Sequence, residues 1–210
     1  MGAHMKLVCF ADTHALDLSD VIIPDGDVLI CAGDFTNIGE IKDVIKFNTW
    51  LNTLPHEHKI IIAGNHDHSF CEQDGRQGTD GAEYLTNCNY LQDSEVVIDG
   101  VKFYGSPATK KFCNWAHNYT EKELKEKWKA IPDDTDVLIT HGPAHGFLDK
   151  CVDGYRAGCK HLATRIRELD LKYHVCGHIH ESYGRQGIHI NCSLVNEYYE
   201  IVNKPIVVDL

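Results

Sequence analysis

Apolar residues in this chain gather in short, nearly continuous runs, and several of the runs end abruptly in polar residues. "KLVCFAD" (6–12), "VLICAGD" (28–34) and "KIIIAGN" (59–65) lack the alternation of a half-solvated strand. They read as strands buried on both faces. Between the second and third, Ile41, Val44, Ile45, Phe47 and Leu51 recur at helical spacing. Asn37 and Glu40 have the spacing of a capping box opening that helix, and Pro55 helps to end it. "EVVIDGVKFYGS" predicts a hairpin about the Asp99-Gly100 turn. Thr120 and Glu123 predict a second capping box and a charged helix reaching Ala130. Leu162, Ile166 and Leu169 mark one face of a helix from Cys159 to Leu169. "DVLITHG", "YHVCGHIH", "IHINCS" and "PIVVDL" supply the late strands. Residues 71–88 read as loop with a short helix. Their G-x-x-G-x-x-G spacing does not follow a strand directly, so a flexible loop is preferred there to a nucleotide-binding turn. Strand–helix alternation in the first half and a strand-rich meander in the second predict a layered α/β protein with mixed sheets.

Composition narrows this picture. The chain has 210 residues, which favours one domain, taken as 6–210 after a cloning scar at 1–5. No apolar stretch is long enough for a membrane span. Lys6 leads directly into a strand, which leaves no room for a signal peptide, so a cytoplasmic location is expected. The cysteines number nine and include no Cys-x-x-Cys pair, which argues against a disulfide framework or a zinc knuckle. Cys9, Cys31, Cys176 and Cys192 sit inside apolar runs and read as small buried hydrophobes in a reducing compartment. A formal net charge of −11 disfavours extended nucleic acid as a partner. It does not forbid a small anionic substrate where metal ions reverse the local sign.

The chemistry lies at the ends of the strands. Five apolar runs end in Asp12-Thr13-His14, Gly33-Asp34, Gly64-Asn65-His66-Asp67, Thr140-His141 and Gly177-His178-Ile179-His180. Taken singly, each has a plain reading: a turn, a cap or a surface histidine. Together they place metal-ligand residue types where one sheet edge can collect them. Asp12/His14 and His178/His180 are i, i+2 pairs, which an extended strand would point to one side. Imidazole and carboxylate suit manganese, iron or zinc. Asp12, His14, Asp34, Asn65, His141, His178 and His180 are too many for one tetrahedral ion and suit two ions sharing a carboxylate.

The order D-x-H, G-D, G-N-H-D, H, G-H-x-H resembles that of the calcineurin-like metallophosphoesterases. "FYGSP", "NWAHN", "THGPAHGFLD", "GHIHESYG" and "NKPIVVDL" are similar to the metallophosphoesterase domain-containing branch. The resemblance implies an α/β/β/α sandwich of two mixed β-sheets flanked by helices. It implies two divalent ions, manganese foremost, with iron or zinc as alternatives. Asp12, His14 and His180 would hold one ion, Asn65, His141 and His178 the other, and Asp34 would bridge them. His66 would be the general acid or would steady the transition-state charge, with Asp67 orienting its imidazole. The implied reaction is hydrolysis of a phosphodiester of a small nucleotide, of cyclic-nucleotide type, by in-line attack of a bridging hydroxide. A phosphomonoesterase or a catalytically weak metal-binding scaffold is the alternative. A small phosphorylated partner, no membrane and an open oligomeric state complete the expectation. Arg156, Trp115, Asn114 and His145 are candidate substrate contacts, Trp115 with a core or lid role as its other reading. Lys110 and Lys111 read as solvated, and His56, His58, His161 and His174 as surface.

Overall fold

The computed structural model describes residues 4–71 and 81–210. Two large sheets carry the molecule. The first contains β1 (Lys6–Phe10), β2 (Val28–Cys31), β3 (His58–Ile61), β4 (Asn89–Tyr90) and β13 (Ile206–Asp209), in the order β13-β1-β2-β3-β4. The second contains β5 (Ser94–Ile98), β6 (Val101–Ser106), β9 (Val137–Thr140), β10 (Tyr173–Cys176), β11 (Gly184–Gln186) and β12 (His189–Asn191), in the order β11-β12-β10-β9-β6-β5. A two-stranded ribbon, β7 (Thr109–Lys110) and β8 (Asn118–Tyr119), lies between β6 and β9 in the chain. The helices are α1 (Ile41–Asn52), α2 (Gly81–Tyr84), α3 (Glu121–Lys129) and α4 (Lys160–Ile166).

The continuous apolar runs have the cause expected of them. Leu7, Cys9, Ile30 and Ile60 face the inter-sheet core, where they join Phe103, Val137, Ile139 and Val175 of the second sheet. Their neighbours Val8, Phe10, Leu29 and Ile61 face outward onto Val44, Phe47 and Leu51 of α1. On the far side, Tyr104 and Leu138 pack on Leu124 and Trp128 of α3 and on Leu162 and Ile166 of α4. Both faces of both sheets are therefore covered, and the layers run α/β/β/α. Each fully buried Leu, Ile or Phe contributes ~1.5–3 kcal/mol of transfer free energy. A Phe103→Ala cavity between the sheets would cost about 3–5 kcal/mol.

The structure corrects several expectations. The second half is not a meander: β6, β9, β10 and β12 run parallel, with only β5 and β11 antiparallel at the edges. Asn37 does not cap α1. Glu40 is the N-cap and makes no side-chain cap bond. Helix α4 stops at Ile166, before Leu169. His56 and His174 are buried. The expected strands run past their true ends, because Asp12 (φ 58°) and Asp34 (φ 54°) turn into the left-handed region. The Asp99-Gly100 turn is as expected, with φ of 48° and 82° at the two central residues of the β5–β6 hairpin. The Thr120–Glu123 capping box on α3 is complete. Gly75 and Gly78 of the glycine-spaced stretch lie outside the described residues, and Gly81 opens α2.

Candidate metal centre

Strands β1, β2 and β3 are parallel, as are β9 and β10, so their carboxyl ends deliver five loops to one end of the sandwich. The loops are tied to one another through the backbone. Asp12 N–H donates to Gly33 O (3.0 Å), His14 N–H to Asp34 O (2.9 Å) and Gly177 N–H to His141 O (3.0 Å). The two sheets meet here as well: His178 N–H reaches the Asp12 carboxylate at 3.0 Å.

Three groups of potential ligand atoms converge: Asp12, His14 and His180; His14, Asp34 and His66; and Asp34, His141 and His178. Asp34 is the shared member of the last two. Its Oδ2 lies 3.2 Å from His141 Nε2, 3.9 Å from His14 Nε2 and 4.0 Å from His66 Nε2. His14 Nε2 and His180 Nε2 are 3.3 Å apart, and Asn65 Oδ1 is 3.0 Å from His141 Nε2. All seven expected ligands are therefore gathered. What aims them is not strand alternation, since Asp12, His14, Asp34 and His178 all hold positive φ (58°, 44°, 54° and 69°). Such conformations in non-glycine residues cost of order 1–3 kcal/mol each and persist only where the surroundings enforce them.

The adjoining glycines show how tight the enforcement is. A Cβ on Gly64 would collide with Asp34 Oδ1, one on Gly177 would stand 2.5 Å from Asp12 Oδ2, and one on Gly33 2.7 Å from His141 Nδ1. Carbonyls fix the ring tautomers. His141 Nδ1 donates to Ala32 O at 2.8 Å and His180 Nδ1 to Asn196 O at 3.2 Å, which turns each Nε2 inward as a lone-pair donor.

The electrostatics call for cations. Asp12, Asp34 and Asp67 are almost wholly buried, and among the described residues no Lys or Arg pairs with them. Burial raises Asp12 despite the nearby imidazoles of His180 and His141. Burial would raise Asp34 too, but His141, His14 and His66 hold it below the carboxylate range. Burial drives His14 and His178 down to about 3, so both stay neutral, as ligation requires. His141 differs: burial opposes its charge, yet Asp34 and Asp12 push it up to about 9. The same carboxylate charges that favour a proton there favour a cation in its place. The nitrogen-and-oxygen donor set and its unpaired negative charge thus fit divalent metals.

Comparison with known proteins agrees with this geometry. The family model for calcineurin-like phosphoesterase matches residues 5–182. The chain belongs to that family. Within this phosphoesterase family, metallophosphoesterase domain-containing protein 1 of Homo sapiens is 42% identical over 99% of this chain and 71% of its own length. UPF0046 protein K07C11.7 of Caenorhabditis elegans is 41% identical over 97% of this chain and 74% of its own. The crystal structure of TT1561 of Thermus thermophilus shares the fold, with a TM-score of 0.61, 12% identity, and coverage of 91% of this chain and 89% of that one. Membership implies divalent metal ions and phosphoester hydrolysis. No described helix is long and apolar enough to cross a membrane.

Around the phosphoesterase centre, the remaining expectations separate. His66 lies against it, its ring centroid 4.5 Å from that of His14. Its Nδ1 donates to the Asn37 carbonyl at 2.7 Å, not to Asp67. The orienting role expected of Asp67 is thus corrected. Its carboxylate is filled by the N–H groups of Gly64, Asp34 and Thr36 and by the Thr36 hydroxyl, which leaves the imidazole to the carbonyl. Burial, then Asp34, pushes Asp67 up to about 7. Trp115 stacks on His66 (centroids 4.2 Å, planes 28° apart), and Asn114 is exposed beside it. Arg156 and His145 both meet the buried Asp149: Arg156 Nη1 lies 2.5 Å from its carboxylate and His145 Nδ1 3.5 Å.

Sequence reasoning missed Tyr199, Asn37, Thr36 and Asn191. The Tyr199 ring stands edge-on to His14 (4.7 Å) and His180 (5.3 Å). Asn191 Nδ2 donates to Ile179 O and so braces the G-H-x-H loop. A polar residue ending "IHIN" was the available signal for Asn191. Nothing in "NEYYE" marked Tyr199.

Proposed function

We propose that this phosphoesterase hydrolyses phosphodiesters of small nucleotides at a centre of two divalent ions, manganese foremost. The carrying observation is Asp34 Oδ2, set 3.2–4.0 Å from three imidazoles belonging to different loops. Asp12, His14 and His180 would hold one ion and Asn65, His141 and His178 the other, with Asp34 shared. When bound, the ions lower the pKa of water and offset the charge of the phosphoryl oxygens. The protein's own groups do the rest. The Asn37 carbonyl holds His66 Nδ1–H, so Nε2 is the atom turned to the centre, and protonated Nε2 donates to the departing alkoxide. Trp115 keeps the ring plane. Asp12 and Asp34 supply negative charge that discourages a bare phosphate from settling without cations. The free cysteines agree with a reducing, cytoplasmic setting.

The test is hydrolysis of bis-p-nitrophenyl phosphate and p-nitrophenyl phosphate by metal-stripped protein reloaded with Mn²⁺, with metal content measured in parallel. Diester turnover above monoester is expected. His66→Ala should lower kcat by about 10²–10⁴-fold and leave metal content unchanged. Asp34→Ala should empty the centre. Dominant monoester turnover would move the assignment to a phosphatase. Equal metal loss in both variants would remove the role given to His66.

A further inference from the structure

A cavity of about 350 Å³ opens beside the metal centre. Two of its lining residues belong to the ligand loops: His178, and Gly142 next to His141. Its other walls are largely apolar, formed by Ala108, Pro143, Cys151, Ala157, Cys159 and Ile179 over the buried face of Trp128. Trp128 Nε1 is already spent on Cys159 Sγ at 3.3 Å, so the indole offers an occupant its ring and no donor.

Two lining aromatics, Phe112 and Tyr155, are each 57% exposed. Both rings line the cavity while remaining open to an occupant. The cavity also has a polar edge: Lys110 Nζ lies 3.3 Å from the Tyr155 hydroxyl. The far rim is held in shape, because Glu181, itself a lining residue, accepts the Val152 N–H at 2.8 Å. Volume, apolar walls and a few placed polar groups are what a small-molecule site requires.

The lining also says which part of a substrate goes there. Neither His66 nor Trp115 is among the lining residues. An organic group seated in the cavity while phosphorus sits at the ligand cluster is therefore on the His178 side, not on the side of the proton donor. A monoester has one organic arm, and that arm must leave past His66. A diester has two. Building on the esterase reading above, we propose that this cavity holds the retained arm of a phosphodiester and that this arm is a flat aromatic ring with a hydrogen-bonding edge, a nucleobase or a substituted phenyl. Water adds to phosphorus, the bond to the leaving oxygen breaks, and His66 protonates that oxygen. The product is an alcohol and a monoester whose ring remains in the cavity.

Binding and turnover test this separately. Phenylphosphonate, hexylphosphonate and methylphosphonate are titrated calorimetrically into the Mn²⁺-loaded protein. Phenyl should bind about tenfold tighter than methyl, the gain of a good aromatic contact, and tighter than hexyl. p-Nitrophenyl phenyl phosphate should then be preferred over p-nitrophenyl methyl phosphate through KM, although the leaving group is the same. The Phe112→Ala/Tyr155→Ala protein, changed only at exposed positions, should lose both preferences. Ala157→Leu, which fills the cavity from its wall, should lose them independently. Equal affinity for phenyl and methyl, tighter binding of hexyl, or preferences that survive both variants would overturn the assignment. If the esterase reading itself fails, no ester turns over, and the phosphonate series still decides the cavity.

Discussion

Asp67 joins neither ligand set, yet four donors converge on its carboxylate: the N–H groups of Gly64, Asp34 and Thr36 and the Thr36 hydroxyl. It clasps the β2 loop to the β3 loop and so fixes where Asp34 points. Asp67→Ala would bury three N–H groups without acceptors, at about 1–3 kcal/mol each. Urea denaturation should find that variant unfolded or lowered by several kcal/mol. Thr36→Val, which loses the hydroxyl's bond to Asp67 and the acceptor of the Gly39 N–H, should cost about 1–3 kcal/mol. An Asp67→Ala protein as stable as wild type would end this account. The same residues show what a sequence reveals. The convergence of the seven expected ligand positions and His66 was legible because their side chains carry the chemistry and stand where apolar runs stop. The partners of Asp67 were not, because they are backbone groups brought near by the turn. Nor was the Asn37 carbonyl, for the same reason.

Two stretches with the same capping pattern behave differently, and the contrast is informative for the elements. In Thr120–Glu123 the Glu123 side chain accepts the Thr120 N–H at 2.7 Å, and acidic residues begin the helix while Lys127 and Lys129 end it, in keeping with its dipole. In Asn37–Glu40 the chain is diverted, because the Asn37 carbonyl is given to His66 and the Gly39 N–H to Thr36 Oγ1. A functional loop has overridden a local signal. Thr120→Ala should therefore lower stability by about 1 kcal/mol in denaturant titrations, and Asn37→Ala, whose carbonyl is retained, should leave α1 unaffected. The parallel order of the second sheet escaped the pattern because buried strands read alike in either direction. The long connection from Ser106 to Val137, carrying α3, was the sign of a crossover, since antiparallel neighbours need only a short turn.

At the scale of the whole molecule, His174 ties β9, β10 and β12 together in the core of the second sheet. Thr140 Oγ1 donates to Gly142 O at 2.7 Å, so it accepts from His174 Nε2–H at 2.8 Å. His174 Nδ1 is then left to accept from His189 Nδ1–H at 3.0 Å. This chain of bonds requires both imidazoles neutral, and burial, with His189 beside it, holds His174 well below its ordinary 6.5. The unfolded chain thus takes up the proton first. Stability is full above about pH 6.5 and declines as pH falls beneath it. Chemical denaturation of metal-free protein at pH 7.5 and 5.5 should show this loss, and His174→Gln should show a smaller one. An unchanged pH difference in the variant would place the acid sensitivity elsewhere. The first sheet has a different dependence, on the order of synthesis. Strand β1 lies between β2 and β13, with Lys6 opposite Asp209. On the ribosome, one flank of β1 therefore waits, its amides bare, until residues 206–209 have been made. Closure of that sheet comes only with β13, and until then the nascent chain presents an open edge for chaperones to guard.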